Sequence, residues 1–307
     1  MTNEQKEISS QIYKLLLEHG NFLRQSPDIW NDCQHQREKI ERLVAQNASI
    51  TMVLPAFPAK SPNPQKTIGR QPDLGELMGL GLLNSLCQQI KDIYVPGAET
   101  IICSDGRVFS DLVEVSDSHV SQYGEGIKEI LAEEGFEFLK TYSLEDIFIE
   151  RDFDKMRGRL VKEFGSPVNA LREEVLAGGE MKDLFNGIHR FIFEDRSALF
   201  PEKSRNKIRI ESKTVAYQVI QRSNAWSRLV EREFPDAIRL SIHPQVPSSQ
   251  KLGIRLVPSK NIWGTPWHGT LVRTPQGFWL MKRSEAEKMN ARLAWWKGKY
   301  GYFELAS

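Results

Sequence analysis

A chain of 307 residues is long enough to bury a sizeable core in one or two globular units. Its 41 Lys and Arg against 40 Asp and Glu leave a net charge of +1, which gives neither nucleic acid nor an anionic membrane a claim as the main partner and makes any anion site a local one. Cys33, Cys87 and Cys103 are odd in number and far apart, so they fit neither a disulfide framework nor a clustered zinc site. The polar N-terminus does not read as a secretory signal, and no apolar stretch approaches the ~20 residues of a membrane span, so the expectation is a soluble, cytoplasmic protein.

Ile8, Ile12, Leu15, Leu16 and Phe22 recur at helical spacing, and Asp32 to Gln46 carries Ile40, Leu43 and Val44. Residues 1–48 are therefore expected to be helices packing on the core as a brace. Ile50 to Leu54 is a short apolar run that suits a strand buried on both faces, followed by an irregular loop held by Pro55, Pro58, Pro62 and Pro64 and carrying Lys60 and Lys66. Asp73 with Glu76 three residues on forms a capping box, so a helix is expected from Asp73 to about Lys91. A second strand, Thr100 to Cys103, ends in Ser104-Asp105-Gly106-Arg107, a turn in which glycine can take positive φ, and a helix from about Ser118 to Glu134 follows.

This alternation is the βαβ pattern: a Rossmann-like α/β fold, largely parallel, over residues 49–200, with ligands bound beyond the carboxyl ends of the strands. Between Glu145 and Asp195 several short helices are expected, separated by Gly165-Ser166-Pro167 and Gly178-Gly179. Residues 201–307 read as a mixed α/β part completing the site: a strong helix striped by Val215, Val219, Trp226 and Leu229, then strands at Ala237 to His243, Leu252 to Val257, Thr270 to Val272 and Phe278 to Met281. Trp295 and Trp296 either anchor a homodimer or, the plainer expectation, pack against the domain.

Arg222 falls on the apolar stripe of the strong helix and must meet an anion, either a ligand or an internal carboxylate. Arg239, Ser241 and His243 share one face of a strand, as a site would require or as the wet face of an edge strand would. His268 beside Trp267 is an acid/base candidate or a structural histidine, and Lys60 and Lys66 are phosphate ligands, a base or Schiff-base amine, or solvated loop lysines. No phosphate-binding Gly-x-x-x-x-Gly-Lys loop and no His-Glu-x-x-His occurs.

Seven segments in order carry a resemblance: Phe57-Pro58-Ala59-Lys60-Ser61-Pro62-Asn63, Pro72-Asp73-Leu74-Gly75-Glu76, Tyr94-Val95-Pro96-Gly97-Ala98, Ser104 to Asp111, Arg222-Ser223-Asn224-Ala225-Trp226, Arg239 to Pro244 and Pro266-Trp267-His268. Together they resemble the pyoverdine/dityrosine biosynthesis family over about residues 50 to 280. The resemblance implies an isocyanide synthase of secondary-metabolite biosynthesis. It would convert the amine of tyrosine or tryptophan to an isonitrile, with ribulose 5-phosphate as co-substrate and neither metal nor other cofactor. It implies Lys60, Asp105, His243 and His268 as catalytic residues and Ser61, Asn63, Lys66, Asp73, Glu76, Arg107, Arg222, Arg239 and Ser241 as the substrate-binding set. An iron/2-oxoglutarate-dependent oxygenase is the implied pathway partner. A tyrosine N-formyltransferase of the same family and a non-catalytic binder of amino acid or sugar phosphate stay open as alternatives.

Overall fold

The computed structural model describes residues 1–24 and 28–305. Helices α1 (Asn3–Glu18), α2 (Ile29–Asp32) and α3 (Gln34–Ala45) lead into β1 (Ile50–Leu54). The expected brace is present: Ile12, Tyr13 and Leu16 of α1 and Ile40, Leu43 and Val44 of α3 enter the main core. Then follow α4 (Leu74–Ile93), β2 (Ala98–Cys103), α5 (Gly106–Phe109), α6 (Asp117–Glu133) and β3 (Leu139–Tyr142). Three helices, α7 (Phe153–Phe164), α8 (Val168–Ala177) and α9 (Gly179–Leu199), precede the long α10 (Arg205–Glu233), after which the chain returns to the sheet as β4 (Ile238–Ser241) and β5 (Leu252–Gly253). The last part comprises β6 (Thr270–Thr274), β7 (Gly277–Met281), α11 (Arg283–Lys288), β8 (Arg292–Trp296) and β9 (Tyr300–Glu304).

The main sheet has the order β3-β2-β1-β4-β5 and every pairing in it is parallel. From β1 the chain first crosses to β2 and β3 on one side and later to β4 and β5 on the other. The loops leaving the carboxyl ends of β1 and β4 therefore diverge, opening the crevice in which doubly wound sheets bind ligands. The boundary expected at residue 200 runs through this sheet, since β4 and β5 come from beyond it. β4 is an interior strand, which removes the reading of Arg239, Ser241 and His243 as one wet edge face.

Helix α4 is buried nearly all round, with Leu74, Leu77, Leu80, Leu83, Leu86, Cys87 and Ile90 in the core. Each such leucine contributes roughly 1.5–3 kcal/mol, which fixes α4 against the sheet and gives its N-terminus a rigid place. The expected box is formed: Gly75 N–H donates to Asp73 Oδ1 at 2.8 Å and Asp73 N–H to Glu76 Oε2 at 2.9 Å. Among the described residues no helix is long and apolar enough to cross a membrane.

Several expectations are corrected. Leu139–Tyr142 is a strand that its short, half-polar pattern hid, and α9 runs for 21 residues where short helices were expected. The last segment forms β8 and β9, which join β6 and β7 in a second, mixed sheet of order β7-β6-β9-β8. β8 is its edge, and Trp295 and Trp296 pack against the domain only in part: they are 55% and 43% exposed. Gly106 opens α5 and does not take positive φ. What selects glycine is close approach, because a Cβ there would lie 2.1 Å from the Pro58 carbonyl oxygen and 2.8 Å from Val120 Cγ1. Gly106→Ala is expected to destabilise the protein by about 1–3 kcal/mol through this clash. Gly124→Ala on α6, where a Cβ meets nothing within 4 Å, should instead gain ~0.5–1 kcal/mol, both read from denaturant midpoints.

Candidate active site

The crevice opens into a cavity of about 1380 Å³. Loops following three parallel strands reach it: the 55–73 loop after β1 brings Lys60, Ser61 and Lys66, the turn after β2 brings Asp105, and the segment after β4 brings His243. The short helical turn at Pro266–His268 adds Trp267 and His268, and α9 adds Phe191 and Glu194.

Lys60 is wholly enclosed. Its ammonium lies 2.7 Å from Asp73 Oδ2 and 2.8 Å from Glu76 Oε2, and donates to the Pro266 carbonyl at 3.0 Å. Two carboxylates and one carbonyl thus surround the ammonium. Burial alone would lower the lysine pKa, but the charges of Asp73 and Glu76 outweigh it and hold the ammonium above its ordinary value. Tyr123 completes the cage by donating to Glu76 Oε1 at 3.0 Å. Asp73 and Glu76 thus serve both the helix cap and Lys60, and neither lines the cavity.

A second anchor is Asp195. It accepts from Ser61 Oγ at 3.0 Å and Asn63 Nδ2 at 3.1 Å, and pairs with Lys66 at 2.7 Å. Lys66 also reaches Glu194 at 3.1 Å and lies 4.8 Å from the Phe191 ring centre. The loop is therefore pinned to α4 at one end and to α9 at the other.

Asp105 and His243 each have a buried polar atom, Oδ1 and Nδ1 respectively, with no hydrogen-bond partner, and unlike Asp73 neither side chain has an ion pair among the described residues. Desolvation pushes the Asp105 carboxyl up to about 7 and, helped by the nearby charge of Lys251, pulls the His243 imidazole down to about 4. His268 is held well below its ordinary value by burial and then by the charges of Lys66, His243 and Lys60. Its Nδ1 shares a hydrogen bond with Thr265 Oγ1 at 2.9 Å, and its ring lies 4.4 Å from that of Phe191. Among the described residues no three His, Cys, Asp or Glu side chains come together as metal ligands would.

Of the nine expected binding residues only Ser61 and Lys66 line the cavity; Asn63, Asp73 and Glu76 hold the loop as described, and the other four make contacts of their own. Arg107 turns away from the cavity to Glu145 at 2.9 Å, to Asp117 and to Ser121, and stacks on Phe153. Arg222 takes its internal carboxylate, donating to Asp111 Oδ2 at 2.9 Å and to the Val108 carbonyl at 3.0 Å. Arg239 faces α10, where it donates to Ser227 Oγ at 2.8 Å, and Ser241 Oγ accepts from His243 N–H at 3.2 Å. The sequence reading missed Asp195, Glu194, Phe191 and Trp263. Only the spacing of Phe191, Glu194 and Asp195 on one helix pointed to them.

The sequence profile of the pyoverdine/dityrosine biosynthesis protein family matches residues 40–294. The chain belongs to this family. It is 46% identical to an L-tryptophan isonitrile synthase of Fischerella ambigua, covering 98% of this chain and 92% of that one. It is 39% identical to an L-tyrosine isonitrile synthase of Pseudomonas aeruginosa, over 94% and 89%. The crystal structure of the PvcA protein from Pseudomonas aeruginosa superimposes with a TM-score of 0.92 at 38% identity, over 97% of this chain and 100% of that one.

The Asp105 carboxyl binds a proton more tightly folded than unfolded, so its contribution to stability is present at acid pH and is lost as pH rises towards about 7. Asp105→Asn is therefore expected to match the native protein near pH 4 and exceed it by roughly 2–4 kcal/mol at pH 8 in denaturant titrations.

Proposed function

We propose that this enzyme converts the α-amine of an aromatic L-amino acid into an isonitrile, with ribulose 5-phosphate supplying the carbon, in secondary metabolism. The relatives named as tryptophan and tyrosine isonitrile synthases support the reaction and the acceptor class. The observation that carries the reading is the pair of unpartnered buried atoms, Asp105 Oδ1 and His243 Nδ1, on the wall of one cavity. At about 1380 Å³ that cavity exceeds the ~300–1,000 Å³ of ordinary small-ligand sites and has room for two substrates.

The amino acid arrives as an ammonium and must lose a proton before its nitrogen can attack a ketone. Asp105, with its pKa near 7, is matched to take that proton at neutral pH and to hold the amine. Condensation forms the C=N bond and releases water, after which the two carbon–carbon bonds flanking the former ketone carbon break: one neighbouring carbon leaves as a carbonyl, its hydroxyl proton lost and its bonding pair left on the isonitrile carbon, and the other leaves with its bonding pair and takes up a proton. The ketone carbon and the isonitrile carbon stand at the same oxidation level, so these steps call for proton transfers. His243 and His268, neutral at pH 7, can donate from one ring nitrogen and accept at the other. Lys60 holds the loop in place and is not the reacting amine, since its ion pairs with Asp73 and Glu76 keep it protonated.

Mass spectrometry after incubation with ribulose 5-phosphate labelled at the ketone carbon tests the reading, with L-tryptophan first and L-tyrosine second. A labelled isonitrile is expected. A product heavier by one water would identify the formyltransferase, and unchanged substrates from folded protein would contradict both. Asp105→Asn and His243→Gln should each lower turnover by at least ~10²-fold while remaining folded. The native kcat/KM for the amino acid should climb through pH about 7, and Asp105→Asn should remove that limb.

A further inference from the structure

The cations on the cavity wall divide into paired and unpaired groups. Lys60 is neutralised by Asp73 and Glu76, Lys66 by Asp195 and Glu194, and Lys282 by Glu194. Arg190 and Lys260 line the same cavity, and among the described residues neither side chain has an ion pair or hydrogen bond. Both are exposed, at the mouth.

Two features bring them together. Asp183, Gly187, Arg190 and Glu194 recur along one face of α9, and all four line the cavity. At Gly187 the helix meets the loop that carries Lys260: a Cβ there would lie 3.9 Å from the Trp263 ring. Arg190 is one turn beyond that contact, and Lys260 is three residues before Trp263. Of the acids on this part of the wall, Glu194 is held between two lysines, and Glu285 accepts from Lys282 N–H at 3.0 Å. Asp183 alone is left to offset two free cations. Asp105 and the apolar side chains Phe109, Val113, Val120 and Val219 line the same cavity.

We propose that Arg190 and Lys260 form the subsite for the phosphate monoester of the sugar donor. This assignment rests on the function proposed above. A phosphate dianion suits the planar fork of an arginine together with the point charge of a lysine. The donor then enters carbonyl first, with its phosphate at the mouth and its ketone carbon directed towards Asp105 and His243. The aromatic side chain of the acceptor packs on Phe109, Val113 and Val219.

The test compares the native protein with Arg190→Ala, Lys260→Ala and the double variant, which alter only exposed side chains. Calorimetric titration with ribulose 5-phosphate and with inorganic phosphate should show binding to the native protein, weakened roughly 10- to 100-fold in the double variant. In steady state the KM for ribulose 5-phosphate should rise by a similar factor, while kcat and the KM for the amino acid stay unchanged. Binding of unphosphorylated ribulose should be insensitive to the substitutions. Undiminished sugar-phosphate binding by the double variant, or no binding of either phosphate compound by the native protein, would overturn the subsite. A native protein that makes labelled isonitrile, with variants that keep its KM, would retain the function and remove the subsite. Binding that depends on Arg190 and Lys260 without any isonitrile would do the reverse.

Discussion

The burial of one ammonium group, that of Lys60, constrains most of the site. Removing a charge from water costs several kcal/mol, and only close carboxylates and full hydrogen bonding can offset it. Here the partners come from two further segments: Asp73 and Glu76 from the start of α4, and the Pro266 carbonyl from the turn that carries His268. One cation therefore ties together the loop after β1, the N-terminus of helix α4 and the turn that carries His268. Loss of a single partner would strand a buried charge at a cost of ~3–5 kcal/mol, so the three segments keep one arrangement.

With that frame in place, the same desolvation acts in opposite senses on two groups left without partners. It favours the neutral carboxylic acid at Asp105 and the neutral imidazole at His243, so neither is locked in a charged state at pH 7. Charges paired with one another, such as Arg107, Arg157 and Asp117, form a brace between α5, α6 and α7 outside the cavity. The contrast separates structural charge from chemical charge more sharply than residue type does.

Much of the frame was legible in the sequence. The capping box at Asp73 is a local pattern, and apolar runs at β1 and β2 declare a parallel sheet because such strands are buried on both faces. Asp105 and His243 followed, since ligand sites lie beyond strand ends. What was illegible depends on distant partners. A buried arginine announces that it needs an anion without naming it, and Arg222 found Asp111 on α5's far side. Gly106 looked like a turn glycine because its true constraint, the Pro58 carbonyl, is remote in sequence. Asp195 gave no signal beyond its place in a helix, and β8, with both tryptophans exposed, carried no burial pattern at all.

The most direct test is a crystal structure of the protein with L-tryptophan bound. The account predicts the amine within hydrogen-bonding distance of Asp105 Oδ1, the indole against Val113 and Val219, and the Lys60 ammonium still held by Asp73, Glu76 and the Pro266 carbonyl. An amino acid bound outside the cavity, or a Lys60 released from its cage to contact the ligand, would contradict it.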